Sequence, residues 1–86
     1  MVTFPRVVCR GVELRTYAGR SWIGDVEGYR VHVWIDAETN DVHGDVRDAA
    51  GLPVVTATGK LLQNVSDALA ATIARRAGGP SQVANG

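Results

Sequence analysis

The strongest constraint on the fold is a set of three alternating segments between residues 20 and 48. In the second, "YRVHVWID" from Tyr29 to Asp36, apolar and polar residues alternate, which is typical of a β-strand with one buried face. Glu27 and Gly28 precede it, and a glycine in a two-residue connector favours a hairpin because glycine accepts a positive φ. In the next connector Asn40 tolerates the left-handed region. The sequence therefore predicts an antiparallel meander with strands at about 20–26, 29–36 and 41–48.

The two connectors also predict the strand register, in which a slip of one residue would move every side chain to the other face. The predicted pairs are Val26 with Tyr29, Gly24 with Val31, Trp22 with Val33, Ile35 with Val42, Val33 with Gly44 and Val31 with Val46 on one face, and Asp25 with Arg30, Ile23 with His32, Trp34 with His43, His32 with Asp45 and Arg30 with Arg47 on the other. The first face is apolar and needs a cover. The second contains a tryptophan and two histidines.

A helix at about 61–77 is the predicted cover, because apolar residues recur there at helical spacing. Gly78, Gly79 and Pro80 predict its end. The N-terminal region predicts a further hairpin about Arg10 and Gly11, and residues 54–58 predict a possible edge strand after a proline. The fold class is therefore α+β, with an antiparallel meander sheet packed on one face by a C-terminal helix. We expect one domain over residues 1–77 and a flexible tail at 78–86.

Length and charge limit the classes of function. A chain of 86 residues can bury one modest core. It has one cysteine and no apolar run of the roughly 18 residues that span a bilayer, so we expect a cytoplasmic protein without membrane association. Residues 21–48 contain two arginines and seven acidic residues, between basic flanks. This pattern lacks the basic stripe of a typical nucleic-acid-binding domain. Eight arginines against one lysine indicate a GC-rich genome, bacterial or phage.

Motifs for catalysis or metal binding are weak. The acidic turn from Asp36 to Asp45 lacks the glycine and glutamate positions of an EF-hand loop. His32 and His43 share one predicted face, but no third ligand accompanies them. Cys9 lies in an apolar run, where a buried thiol is more common than a reactive one. We therefore expect no enzyme activity, no cofactor and no metal.

The polar face of the predicted sheet is the candidate interaction surface. Its proposed residues are Trp34, His32, His43, Arg30, Ile23 and Asp45. Aromatic residues and arginine with charged neighbours are typical of a protein interface, so we expect a homodimer or another protein partner. Two alternatives remain open. The N-terminal hairpin or the edge strand could cover this face as a second small core, or its rings could stack on bases in a nucleic-acid-binding accessory protein.

Residues 21–77 are predicted to form three antiparallel strands followed by a helix. In this outline they are similar to small β3α modules. These include the arm-binding domains of tyrosine-type integrases and, in part, antitoxins of the HicB type. The resemblance implies a nucleic-acid-binding accessory role as the alternative function. It rests on the order of elements, and element order alone does not determine function.

Overall fold

The computed structural model describes residues 4–85, with side chains described for residues 4–76. The elements are β1 (Val8–Cys9), β2 (Val12–Glu13), β3 (Arg15–Tyr17), β4 (Ser21–Val26), β5 (Tyr29–Ile35), β6 (Val42–Arg47), β7 (Pro53–Gly59) and α1 (Leu62–Asn85). Strands β1 and β2 form a two-stranded sheet, and β3 to β7 form a five-stranded sheet whose order in space follows the chain. All pairs are antiparallel. The predicted α+β class, with a meander sheet packed against a C-terminal helix, is confirmed.

The predicted register of the three central strands is also confirmed. The β4 and β5 strands pair from Val26 with Tyr29 to Ser21 with Trp34, and β5 pairs with β6 from Ile35 with Val42 onward. The backbone explains the agreement: Glu27 and Gly28 have φ of 52° and 87°, and Asn40 has φ of 62°. Two consecutive positive φ values twist a two-residue turn in the sense that hairpin strands require.

The predicted hairpin about Arg10 and Gly11 is present, with φ of 53° and 78° at these residues. Its second strand does not simply continue. The chain leaves the small sheet at Leu14, which is buried and donates its backbone N–H to the carbonyl of Val7 at 2.9 Å. Residues 15–17 then join the large sheet as its first strand. A turn with positive φ at Ala18 leads into β4.

The core lies on one side of the five-stranded sheet. Its fully or nearly fully buried apolar residues are Val7, Cys9, Leu14, Trp22, Val26, Val31, Val33, Val42, Val46, Val65, Leu69 and Ile73. Both covers, the helix and the N-terminal hairpin, pack on this side. Gln63 Nε2 and Ser66 Oγ donate hydrogen bonds to the carbonyl of Val8 at 2.9 and 2.7 Å, and these bonds join the hairpin to α1.

Glycine allows the helix to approach the middle of the sheet closely. A Cβ on Gly44 would lie 2.8 Å from both Leu69 Cδ1 and Val65 Cγ1, well inside normal van der Waals contact. The side chains of α1 therefore pack directly on the backbone of β6. The absence of a side chain at Gly44 sets the distance between helix and sheet.

The helix extends past its predicted end. The backbone is helical to Asn85, whereas Gly78, Gly79 and Pro80 predict an end near residue 77. The prediction gave these residues too much weight. The fixed φ of proline is compatible with a helix, and its missing N–H removes one hydrogen bond at a cost of about 3 kcal/mol, which disfavours a helix at this point but does not forbid it. The flexible tail predicted at 78–86 is a statement about motion and stays a prediction. Gly86 lies outside the described residues.

Candidate interaction surface

The face of the large sheet opposite α1 is the candidate site, and we call it the open face. It consists of Arg15, Tyr17, Ser21, Ile23, Asp25, Arg30, His32, Trp34, His43, Asp45, Arg47, Thr56 and Thr58. Strand alternation places these residues away from the core. The N-terminal hairpin is bonded to the helix on the other side, and of its strands only β2, through Val12 and Glu13, borders the open face, at a groove near Arg30. Within residues 4–76 the hairpin is therefore not the cover that would make this face a second core.

Trp34 is the centre of a small aromatic cluster on the open face. Its ring centroid lies 4.6 Å from that of His32 and 5.6 Å from that of His43, with interplanar angles of 36° and 23°. The three side chains are half-buried. Trp34 makes no side-chain hydrogen bond to the described part of the chain, although Trp22 on the core side donates its indole N–H to the carbonyl of Pro5 at 3.0 Å. The indole N–H of Trp34 therefore remains available to a partner.

The register extends this cluster across the sheet. Trp34 pairs with Ser21 on β4, Ser21 pairs with Tyr17 on β3, and His43 pairs with Thr58 on β7. The side chain of Tyr17 is exposed. The small residue Ser21 therefore lies between Tyr17 and Trp34 in the register of the sheet.

Charged side chains lie at both ends of the strands of the open face, and several of them form ion pairs. At one end Arg30 and Arg47 pair across neighbouring strands. Arg30 Nε lies 2.7 Å from a carboxylate oxygen of Asp25, and Arg47 Nε lies 3.8 Å from one of Asp45. Each arginine thus has a carboxylate neighbour, and this end of the face still presents two guanidinium groups to solvent.

An acidic turn occupies the other end, next to the aromatic cluster. Asp36 Oδ1 accepts hydrogen bonds from the backbone N–H groups of Glu38 and Thr39 at 2.8 and 3.1 Å, and these bonds lower the pKa of Asp36. The other carboxylate oxygen lies 3.9 Å from His43 Nε2. A bond from Lys60 lowers the pKa of Asp41 in the same turn. The carboxylate of Asp36 is therefore ionised at neutral pH beside an imidazole of the site.

A shallow groove of about 460 Å³ adjoins the arginine end of the open face. Its lining residues are Val12, Glu13, Arg15, Tyr17, Ile23, Gly24, Asp25 and Arg30. It combines apolar, acidic and basic side chains, without a single dominant charge. This mixture suits a protein surface better than it suits a small charged ligand.

The six residues that the sequence predicts as an interaction surface all lie on the open face, as the register requires. His32, Trp34 and His43 are in contact, Ile23 lies beside His32 across the strands, and Arg30 and Asp45 lie in the adjacent charged region. The sequence prediction missed Arg15 and Tyr17. The signal that could have found them is the Ala18–Gly19 pair, because a hairpin there places both residues on the open face.

Other candidate chemistry does not assemble into a site in the described residues. Among them no three His, Cys, Asp or Glu side chains are close enough to hold a metal ion. Burial raises the pKa of the Cys9 thiol, although a hydrogen bond with Ser66 opposes the shift. In the part of the chain that the structure describes, no helix has both the length and the apolar content to cross a lipid bilayer.

Comparisons with known proteins leave the site to be interpreted from its own geometry. The chain matches no protein-family model. Comparison with curated proteins and with solved structures found no match either.

Proposed function

We propose that this chain is a small, non-enzymatic protein-interaction module that self-associates as a homodimer through the open face, with Trp34 at the centre of the contact. One observation carries the proposal: a half-buried tryptophan lies on a sheet face that no described element covers. Tryptophan is enriched among the residues that dominate binding energy, because its large rigid ring loses little conformational entropy when it is buried.

Charge distribution supports a second copy as the partner. Arg30 and Arg47 lie at one end of the open face, and Asp36 lies at the other. Two copies that pack face to face with antiparallel strands place the arginines of each copy near the acidic end of the other. Such an arrangement is self-complementary, as a two-fold interface requires.

The size of the face sets the expected affinity. Five strands about 4.8 Å apart and about 20 Å long give roughly 500 Å² of sheet plane per copy, or roughly 1,000 Å² for the pair. This area is near the lower limit for a specific protein interface. We therefore expect a weak dimer with a dissociation constant in the micromolar range, which depends strongly on its central residue.

The test is Trp34→Ala, measured by sedimentation velocity over a concentration series together with urea unfolding of the dilute protein. We expect the dissociation constant to rise about 30-fold or more, equivalent to about 2 kcal/mol, with little change in the stability of the monomer. Val8→Ala is the matched control, since Val8 is an exposed apolar residue on the N-terminal hairpin, away from both the open face and β7. If Trp34→Ala unfolds the monomer and leaves association unchanged, Trp34 has a structural role and the proposal fails.

Nucleic-acid binding is the second candidate, and the observation that favours it is the pair of rings formed by Tyr17 and Trp34. Accessible rings on one face of a sheet, here on β3 and β5 with Ser21 of β4 between them, can stack on single-stranded bases. Arg15, on the same face, forms no ion pair within the described residues. Fluorescence anisotropy with labelled single-stranded DNA and RNA at two salt concentrations tests this role. Salt-dependent binding that Trp34→Ala and Tyr17→Ala both abolish would favour it over homodimerisation.

A further inference from the structure

One edge of the large sheet has unusual properties. Among residues 4–85, β7 is the last strand and pairs with β6 alone, and its sequence "PVVTATG" contains no charged residue. Val54, Val55 and Thr56 follow one another in β7, and all three are β-branched residues, which favour an extended strand. A strand of seven uncharged residues at a sheet edge provides a template for pairing with another strand.

Hydrogen-bond alternation shows which groups of β7 are unpaired. Ile35 donates its N–H to the carbonyl of Arg20, so the odd-numbered residues of β5 point toward β4 and the even-numbered ones toward β6. Following the registers, Val55 and Ala57 of β7 pair with β6. The backbone groups of Thr56 and Thr58 therefore point outward, and no hydrogen bond within the described residues reaches them.

The opposite edge differs in each of these respects. Strand β3 has only three residues, and one of them is Arg15. Short edge strands and exposed charges are common protections against unwanted pairing. On β7 the protection is confined to the strand ends, where Pro53 begins the strand and an irregularity occurs opposite Arg47. The lysine that follows the strand, Lys60, is paired with Asp41.

We propose that the β7 edge is a second self-association surface, at which two copies of this chain pair their β7 strands in antiparallel orientation about a two-fold axis through Thr56. In this register Thr56 faces the partner's Thr56, Val54 faces the partner's Thr58, and Val55 faces the partner's Ala57. No like charges meet, so the strand is complementary to itself. The outward N–H and C=O groups of Thr56 and Thr58 gain partners in the other copy.

The two exposed leucines at the ends of β7 also favour a second copy of this chain as the partner. Leu52 precedes β7 and Leu61 follows it, and each is 61% exposed. Antiparallel pairing about Thr56 sets Leu52 of one copy opposite the partner's Lys60, next to the partner's Leu61, so both leucines can withdraw apolar surface from water. The product is a continuous ten-stranded sheet with both helices on one side and both open faces on the other. This contact is separate from the face-to-face dimer and does not depend on it.

Amide hydrogen exchange followed by NMR at about 20 μM and about 1 mM protein tests the proposal. We expect protection of the Thr56 and Thr58 amides to rise at least about tenfold at the higher concentration, because pairing withdraws them from solvent. The Val55 and Ala57 amides should be protected at both concentrations, since β6 holds them. Equal exchange of Thr56 and Thr58 at both concentrations would overturn the proposal.

Two proline variants locate the contact. Thr56→Pro removes an outward N–H without loss of a bond to β6, and we expect at least a tenfold weaker edge association by sedimentation velocity. Thr16→Pro is the matched control, because Thr16 is the middle residue of β3 and its N–H points away from the sheet on the opposite edge. It should leave edge association unchanged. If Thr56→Pro does not fold by circular dichroism, Thr56→Lys replaces it, since it sets two like charges opposite each other.

The result is distinguishable from that of the face-to-face dimer. Trp34→Ala should leave the concentration-dependent protection of Thr56 intact, and Thr56→Pro should leave association through Trp34 intact. In the Trp34→Ala variant, which lacks the face-to-face contact, assembly that grows into fibres instead of saturating at a dimer would overturn a two-fold pairing. Loss of edge association in both proline variants would do the same, because it would show a general loss of structure.

Discussion

The close packing of α1 on Gly44 predicts a strong coupling between this glycine and Leu69. An alanine at position 44 would place its Cβ 2.8 Å from Leu69 Cδ1, where about 3.5 to 4.0 Å is optimal, so helix and sheet must separate or the leucine must leave its rotamer. Overpacking of this kind costs about 1 to 3 kcal/mol. Leu69→Ala removes a fully buried side chain and should cost about 2 to 5 kcal/mol.

In the double variant the two changes partly compensate. The methyl group at position 44 enters space that the leucine has left, but Val65 Cγ1, also 2.8 Å from the new Cβ, still opposes it. We therefore expect the double variant to be more stable than the sum of the single changes predicts, by at least about 1 kcal/mol. A domain of this size has a total stability of roughly 4 to 13 kcal/mol. Without coupling, the summed costs would remove much or all of it.

Urea unfolding, followed by the fluorescence of the two tryptophans, measures the stability of the natural protein, the two single variants and the double variant. The coupled double variant should retain a cooperative transition close to that of Leu69→Ala alone. Leu61→Ala is the control for loss of a leucine at an exposed position, and it should change stability by less than about 0.5 kcal/mol. Additive costs within about 0.5 kcal/mol would refute the reasoning, because they would mean that α1 does not rest on Gly44.

Two further predictions concern the turns. Ala18→Asn should raise the free energy of unfolding by about 0.5 to 1 kcal/mol, because Ala18 has φ of 55° and asparagine tolerates the left-handed region better; an unchanged melting temperature would contradict this expectation. The backbone bonds that lower the pKa of Asp36 stabilise the fold above the usual pKa of aspartate, near 4, and this contribution is lost as the pH falls through the lower folded-state pKa. The urea midpoint should therefore fall more steeply between pH 4 and pH 2 in the natural protein than in Asp36→Asn, and parallel curves would exclude this role for the turn.

The central sheet was predictable because short-range chemistry determines it. Glu27 and Gly28 define a two-residue turn, and Asn40 marks the next bend. With strict alternation between them, these residues leave one register that separates apolar from polar side chains. The closeness of Trp34 and His43 followed from that register. The helix could be predicted for a similar reason, since its apolar positions have a clear period.

The rest depends on tertiary contacts that leave little trace in the local sequence. Residues 12–17 read as one continuous strand, and nothing in their pattern marks the change of sheets at Leu14. The position of the N-terminal hairpin is determined by contacts distant in sequence, such as those from Ser66 to Val8. The sequence alone therefore left open whether the hairpin covers Trp34 or the core side. The predicted helix ends too early at Pro80, because a low helix propensity is an energetic cost for one residue and does not determine where a helix ends.

The meander order of the sheet has a consequence for the order in which the chain acquires structure. Each strand from β4 to β7 pairs with the strand synthesised just before it, so the sheet can lengthen through short loop closures, and such local topologies fold quickly. The apolar side of the sheet is covered later, because Val31 and Val33 pack in a core with side chains of α1, the last element of the chain. A nascent chain in which β7 has emerged but α1 has not thus exposes the apolar face of the sheet and the unpaired β7 edge at the same time. We therefore expect the chain to be most prone to aggregation in the interval between emergence of Gly59 and docking of Leu69.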